Sequence, residues 1–249
     1  MTSVDGILLN LPLANFIYAF QESNMPGKLI VLLLFIGSIF AWTIMVTKIS
    51  ELSRARRMTR GFLFHFRKEV NPLALFARRQ KFVDSPLYRL YDSGCKALGT
   101  ELETVGHNPD DLFATDYSAD AHRLDAQQLD RLRSSMEQNL ADQSLILERR
   151  MNVLATAATT APFLGLLGTV WGVMDAFTGM AVLGTATLSA VAPGIAAALM
   201  TTVMGLLVAL PSAIGYNVLS GQIAELQVQS SNFAKEFMDK VHHQFSRIA

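Results

Sequence analysis

From Met151 to Ala224 the chain carries a single formal charge, Asp175. That run holds two apolar segments joined by the short passage Gly184-Thr185-Ala186-Thr187-Leu188-Ser189. Each segment exceeds the ~20 residues a helix needs to cross a ~30 Å hydrocarbon layer. Lipid offers no water to satisfy backbone groups, so the segments are expected to be helices and not strands. Together they predict a helical hairpin in a bilayer, and everything else in the chain has to be compatible with it.

Small residues recur along the hairpin at a fixed spacing. Ala157, Ala161, Gly165 and Thr169 fall every fourth position on the first helix, with Gly168, Gly172 and Ala176 in a neighbouring row. On the second, Ala197, Thr201, Gly205, Ala209 and Ala213 repeat the pattern, flanked by Gly194, Ala198 and Thr202. Helices in lipid gain little from hydrophobicity, because lipid tails are equally apolar; stripes of small side chains let backbones approach and recover dispersion energy instead. Packing in any polytopic protein accounts for most of these positions. Thr169 and Thr202 differ, since each adds a hydroxyl to a stripe and can line a polar path; Thr201 is placed with them as pore-lining.

A third span precedes the hairpin. Leu29 to Thr47 is uncharged and bracketed by Lys28 and Lys48. Ten Lys or Arg residues lie from Lys48 to Lys81 against Glu51 and Glu69, whereas only Asp5, Glu22 and Lys28 stand before the span. The positive-inside rule then puts the N-terminus outside and the C-terminus inside, with Arg149 and Arg150 in agreement. Upstream, Ile7–Phe20 is interrupted by Pro12 and is too short to span; it reads as an interfacial amphipathic helix with Leu8, Leu9, Phe16 and Phe20 toward lipid. The chain thus divides into an N-terminal outer segment 1–26, a first transmembrane helix 27–49, a cytoplasmic helical domain 50–150, a second transmembrane helix 151–183, an outer loop 184–190, a third transmembrane helix 191–217 and a cytoplasmic C-terminal helix 218–249. The expected fold is an all-α membrane protein with three transmembrane helices, the second and third extended into long cytoplasmic helices.

Inside the cytoplasmic domain, Asn71-Pro72, Ser85-Pro86 and Asn108-Pro109-Asp110 predict breaks between short helices. From about Ser118 a long helix is expected, its apolar side made by Leu129, Leu132, Met136, Leu140, Leu147 and Met151. No break residue separates it from the second span, which predicts a continuous rod projecting ~45 Å below the membrane. Residues 217–249 continue the third helix in the same way, with Ile223, Leu226, Phe233 and Phe237 on its apolar side. Two such rods have too little core to stand alone, so copies of the chain are expected to pack together.

Composition removes several function classes. A net charge of zero argues against a generally basic nucleic-acid binder. One cysteine, Cys95, cannot form an internal disulfide, and His65, His107, His122, His242 and His243 lack metal-ligand spacing. No phosphate-binding glycine loop, nucleophile elbow or paired carboxylates occur, so no catalytic residue, metal, cofactor or enzymatic activity is expected.

The run Ala161-Pro162-Phe163-Leu164-Gly165-Leu166-Leu167-Gly168-Thr169-Val170-Trp171-Gly172-Val173-Met174, then Ala192-Pro193-Gly194-Ile195-Ala196-Ala197-Ala198-Leu199 and Pro211, closely resembles the MotA/TolQ/ExbB proton-channel family. Within it, Ser231-Asn232-Phe233-Ala234-Lys235-Glu236-Phe237 looks more like the TolQ branch than the ExbB branch. The resemblance implies a homopentamer in the inner membrane of a Gram-negative-type cell, whose second and third helices enclose a pore holding two single-span partners of the TolR/ExbD type. Proton flow would drive motion of the partner, which transmits work across the periplasm. The family's two pore-facing threonines map onto Thr169 and Thr202. Pro162, Pro193, Gly194 and Pro211 shape the helices nearby, and Gly165, Gly168, Gly172 and Gly205 pack them.

One position departs from the pattern. TolQ and ExbB sequences carry a Glu where this chain has Ala197. Threonine does not titrate, and buried ionisable groups mark ion routes because they are costly to place in a membrane. The titrating carboxylate is therefore expected from another polypeptide. Asp175 complicates this: it lies ~9 Å outward of Thr169, while Ala197 lies ~7.5 Å outward of Thr202 on the antiparallel helix, so if the two threonines are level Asp175 sits close to the depth of the missing Glu. Asp175 is either a carboxylate at the outer entry of the pore, replacing the missing Glu, or an interfacial residue in contact with water. Competing functions are an energiser of outer-membrane import, a gliding-motility motor subunit, a secondary transporter, and a non-conducting membrane scaffold. Three spans without paired repeats disfavour the transporter.

Overall fold

The structure, a computed structural model, describes residues 20–21, 23–103, 124–183 and 187–245. They form α1 (Met25–Lys68), α2 (Ala74–Ala77), α3 (Pro86–Glu103), α4 (Ala126–Glu148), α5 (Met151–Leu183) and α6 (Leu188–Phe245), with no strand among the described residues. The chain is all-α, and α1, α5 and α6 are long and apolar enough to cross a membrane. The expected amphipathic helix before Phe20, the Asn108-Pro109-Asp110 break and Gly184–Ala186 of the outer loop lie outside the described residues; α6 already begins within that loop, at Leu188.

Two compact units emerge, residues 1–47 with 150–218 and residues 48–149 with 219–249. In the first, the membrane unit, Ile30 and Leu34 of α1 pack with Ala161 of α5 and with Val208 and Ala209 of α6. Large apolar side chains such as Leu32, Phe35, Phe40, Phe163, Leu206 and Leu210 point outward, as suits helices solvated by lipid tails. The hydroxyls of Thr43 and Thr47 donate to Ile39 and Thr43 carbonyls, which hides their polarity inside the helix. Both α5 and α6 run on through Pro162, Pro193 and Pro211.

An aromatic core holds the second unit. Phe62 and Phe66 of α1, Tyr88 and Tyr91 of α3, and Phe233 and Phe237 of α6 are buried together with Leu132 and Met136 of α4. Phe62 sits at its centre, 5.3 Å from Phe233, 5.5 Å from Tyr91 and 5.8 Å from Phe66 between ring centroids. Close pairs of rings add to area burial. Lys240 donates to the Phe66 and Glu69 carbonyls, which caps the C-terminal end of α1 with a cation where the helix dipole favours one. Arg67 grips Glu236 through two nitrogens, and the pairing raises the guanidinium pKa. Burial pushes the Cys95 thiol and the Tyr91 phenol far above their ordinary ranges, so both are neutral.

Three expectations need correction. First, α4 starts at Ala126 and not near Ser118: Asp125 is extended, accepts from Ala126 N, and its own N–H is accepted by the Gln128 side chain in a capping box. Second, the rod is interrupted. Helix α4 ends at Glu148, Arg149 leaves helical geometry, and Arg150 takes a left-handed φ of 71° before α5 begins. A left-handed non-glycine residue costs about 1–2 kcal/mol. The chain end of α4 is held by Lys48, only 5% exposed, which donates to the Leu147 carbonyl at 3.0 Å and pairs with Glu51 at 3.3 Å. A charged cap of this kind is worth about 1.5–3 kcal/mol. Third, the stripes of α4 and α6 find their core within one chain, against α1 and α3, so association of copies does not follow from a missing core. Leu132, Met136, Ile223, Leu226, Phe233 and Phe237 are buried as expected.

Candidate ion-pathway site in the membrane unit

The stripes of small residues bring α5 and α6 together at successive levels. A Cβ added to Gly205 would stand 2.6 Å from the Ala161 carbonyl oxygen, and one on Gly165 would stand 2.8 Å from the Thr201 oxygen. Farther along, Gly172 faces Ala198 and Gly194 faces Ala176. Residue numbers rise on one helix as they fall on the other, so the pair is antiparallel. At Gly165 and Gly205 backbone meets backbone, whereas Gly172 and Gly194 each receive an alanine Cβ; a side chain added at any of the four would push the helices apart.

Three hydroxyls gather where the approach is closest. Thr169 Oγ1 is hydrogen-bonded to Thr202 Oγ1 and lies 3.4 Å from Thr201 Oγ1. Thr169 also reaches the carbonyl oxygens of Ala198 at 3.0 Å and Gly165 at 3.2 Å. Thr201 reaches the same two, at 2.7 and 2.9 Å, and Thr202 reaches Gly165 at 3.2 Å. Each hydroxyl has one proton, so the cluster shares three protons among two carbonyls and its own oxygens. Thr169 and Thr202 are therefore level, half-buried and adjacent. Thr201 is 0% exposed and sits inside the helix contact, not on the face that Thr169 and Thr202 share.

Toward the ends of α5 and α6 that are joined in sequence, a cavity of about 60 Å³ opens between α1, α5 and α6. Its walls include Ser23, Asn24, Asp175, Ala197, Ala198 and Thr201. Asp175 and Ala197 both line this one space. Asp175 is exposed, and Ala197 is 2% exposed. Asn24 Nδ2 donates to Asp175 Oδ2 at 3.2 Å, while Asn24 Oδ1 accepts from Gly27 N at 2.9 Å. Asn24 thus caps α1 and holds the carboxylate with the same amide. Its contribution was missed in the sequence; an Asn before Met25-Pro26 signals an N-cap, but nothing local signals a partner on another helix.

Among the described residues no titratable side chain stands level with the threonines. The described part of the membrane unit contains three charged residues, Lys28, Arg150 and Asp175. Lys28 donates to the Gln21 carbonyl at 3.0 Å. Among the described residues no His, Cys, Asp and Glu cluster could hold a metal ion.

Residues 106–232 match the model of the MotA/TolQ/ExbB proton channel family. The chain is 32% identical over 237 residues to the Tol-Pal system protein TolQ of Haemophilus influenzae, covering 92% of this chain and 95% of that protein. It is 28% identical over 224 residues to the TolQ of Pseudomonas aeruginosa, covering 89% and 90%. It is also 32% identical over 219 residues to the biopolymer transport protein ExbB of Pseudomonas putida, covering 88% of this chain but only 61% of that protein.

Proposed function

The chain belongs to the MotA/TolQ/ExbB proton channel family, and from that premise we propose that it is the pore-forming, stator-like subunit of an inner-membrane motor driven by the proton-motive force. Copies of the chain, five on this reading, enclose the transmembrane helices of two single-span partners of the TolR/ExbD type. The N-terminus lies outside and the second unit lies in the cytoplasm, as the excess of Lys and Arg after α1's apolar stretch demands. Proton flow moves the partner, which carries work across the periplasm. No enzymatic step is assigned to the chain.

One observation carries the reading. Thr169, Thr202 and Thr201 form a hydroxyl cluster at the closest approach of two apolar helices, with no titratable group level with it. A hydroxyl can pass a proton along a chain of hydrogen bonds but cannot hold one at neutral pH, so proton binding and release at the level of the threonines need a carboxylate from another polypeptide. The partner's helix supplies it.

Substituting Val for Thr169 or Thr202 keeps the branched shape and removes the hydroxyl. A motor subunit then loses motor-dependent envelope integrity while the complex still assembles. A non-conducting scaffold tolerates both changes, and that result would overturn the proposal. Relatives named TolQ and ExbB stand at the same 32% identity, so energised outer-membrane import is the second reading. Deleting the gene separates the two: loss of envelope integrity supports the Tol-Pal role, and loss of energised nutrient uptake supports the other.

A further inference from the structure

We propose that the cavity between Asp175 and Thr201 is a hydrated proton-entry chamber inside each copy of the chain, with Asp175 as its proton-transfer carboxylate and Asn24 as the positioning residue that holds that carboxylate at its mouth. This rests on the chain being an ion-pathway subunit, and it moves the outer entry from the space between copies into the wall itself.

Size and polarity fit water. A single water needs about 10–15 Å³ of such space and two to four polar partners; the cavity offers about 60 Å³. Asp175, Asn24 and Ser23 furnish the partners, while Thr201, glycines and alanines make the remaining wall and leave the space unfilled. At one end the carboxylate is exposed, in reach of the outer solution. The other end closes on Thr201, whose hydroxyl lies 3.4 Å from that of Thr169, itself bonded to Thr202. A carboxylate, a water-sized space and three hydroxyls therefore follow one another from the mouth to the level of closest helix approach.

Transfer along this line is balanced at every point. The carboxylate takes a proton from the outer solution and gives it to a cavity water, which passes one of its own to Thr201; each hydroxyl that accepts a proton releases its own to the next, and Thr202 gives the last to the partner's carboxylate. Thr201 has no exposed surface, so the hand-over to it accompanies slight separation of α5 and α6. Around Asp175, the charged groups that α1, α5 and α6 contribute among the described residues of the membrane unit are Lys28, already bonded to the Gln21 carbonyl, and Arg150, at the far end of α5.

Right-side-out membrane vesicles containing the native complex, loaded with a pH-sensitive dye, test the chamber. Asp175→Asn should cut inward proton flux by about a hundredfold or more, the usual scale for losing a proton-transfer group. Asn24→Asp preserves the N-cap but removes the donor to Asp175, so a mere capping role predicts full flux, whereas a positioning role predicts a loss. The exchange Asn24→Asp with Asp175→Asn restores one carboxylate beside one amide and should recover flux. Ala197→Glu in the Asp175→Asn background should recover it too, from the opposite wall of the same cavity. Full flux in Asp175→Asn, or failure of both restored pairs in complexes that assemble normally, overturns the chamber. The control is Thr169→Val: if it abolishes flux while Asp175→Asn does not, the chamber falls and the pore reading stands. If Thr169→Val retains flux, the pore reading itself fails.

Discussion

Replacing Gly205 by Ala tests whether direct backbone contact sets the geometry of the hairpin. The new Cβ would lie 2.6 Å from the Ala161 oxygen and 3.1 Å from Gly165 Cα. Both obstacles are backbone, so no side chain can swing aside. Restoring an ordinary contact requires α5 and α6 to part by about 0.7 Å, and a gap of that size forfeits about a quarter to a half of each dispersion contact it opens. Overpacking of this kind costs about 1–3 kcal/mol, against about 1 kcal/mol gained because Ala is the better helix former. The net effect is a destabilisation of about 0–2 kcal/mol relative to the parent, and of about 1–3 kcal/mol relative to an alanine that meets no obstacle. Gly179 in α5 and Gly221 in α6 have nothing within 4 Å of an added Cβ, so Ala there receives only the propensity gain. Thermal midpoints of the three variants in one detergent or nanodisc preparation give the comparison. If Gly205→Ala melts with Gly179→Ala and Gly221→Ala, or above the parent, close backbone approach is not what packs these helices.

Two further outcomes concern the second unit. Cys95 is buried and its thiol is held protonated by desolvation, so thiol reagents should fail to modify it until the unit unfolds. The unfolded chain releases that proton above pH ~8.5 and the folded chain does not; stability from this source is therefore unaffected below that pH and falls by about 1.4 kcal/mol per unit above it. Melting Cys95→Ala beside the parent at pH 7, 8 and 9.5 should show the alkaline loss reduced in the variant. Arg79 follows α2 with φ 52°, its N–H on Phe76 O and that of Gln80 on Leu75 O. This is the position where a helix ending favours glycine, so Arg79→Gly should stabilise the unit by about 1 kcal/mol, read as a raised midpoint.

The hairpin was legible because a fourth-residue repeat of Ala, Gly and Thr has a geometric meaning that needs no knowledge of the partner. The same repeat put Thr169 and Thr202 each on a stripe, but that they stand level emerged only from the structure. What escaped the sequence was contact between distant segments. Asn24 and Asp175 are separated by 151 positions, and neither carries a local mark of the other. The interruption at Arg149–Arg150 has no Gly or Pro to announce it; the cap comes from Lys48, 99 positions away. Two signals were present and passed over. Asp125-x-x-Gln128 is a capping box in plain sequence. Phe62 and Phe66 repeat the four-residue step of Phe233 and Phe237, yet they lie in a basic stretch whose charges hid an apolar face.

Since the second unit has its own core, the expectation of several copies has to come from the membrane. One α5–α6 pair presents a wall two helices wide, about 20 Å at ~10 Å per helix. A single guest helix about 10 Å across, ringed by helices of the same width, leaves a ring of mean radius about 10 Å and circumference about 63 Å, or about three such walls. Two guests side by side raise the mean radius to about 12–15 Å and the number of walls to about four or five. The number of copies thus reports the number of guests, provided that both α5 and α6 face inward. Native mass spectrometry of the complex with its partner should give five copies around two guests. Two copies, or three around two guests, would leave too little wall to close, and the enclosed-pore arrangement would have to be abandoned.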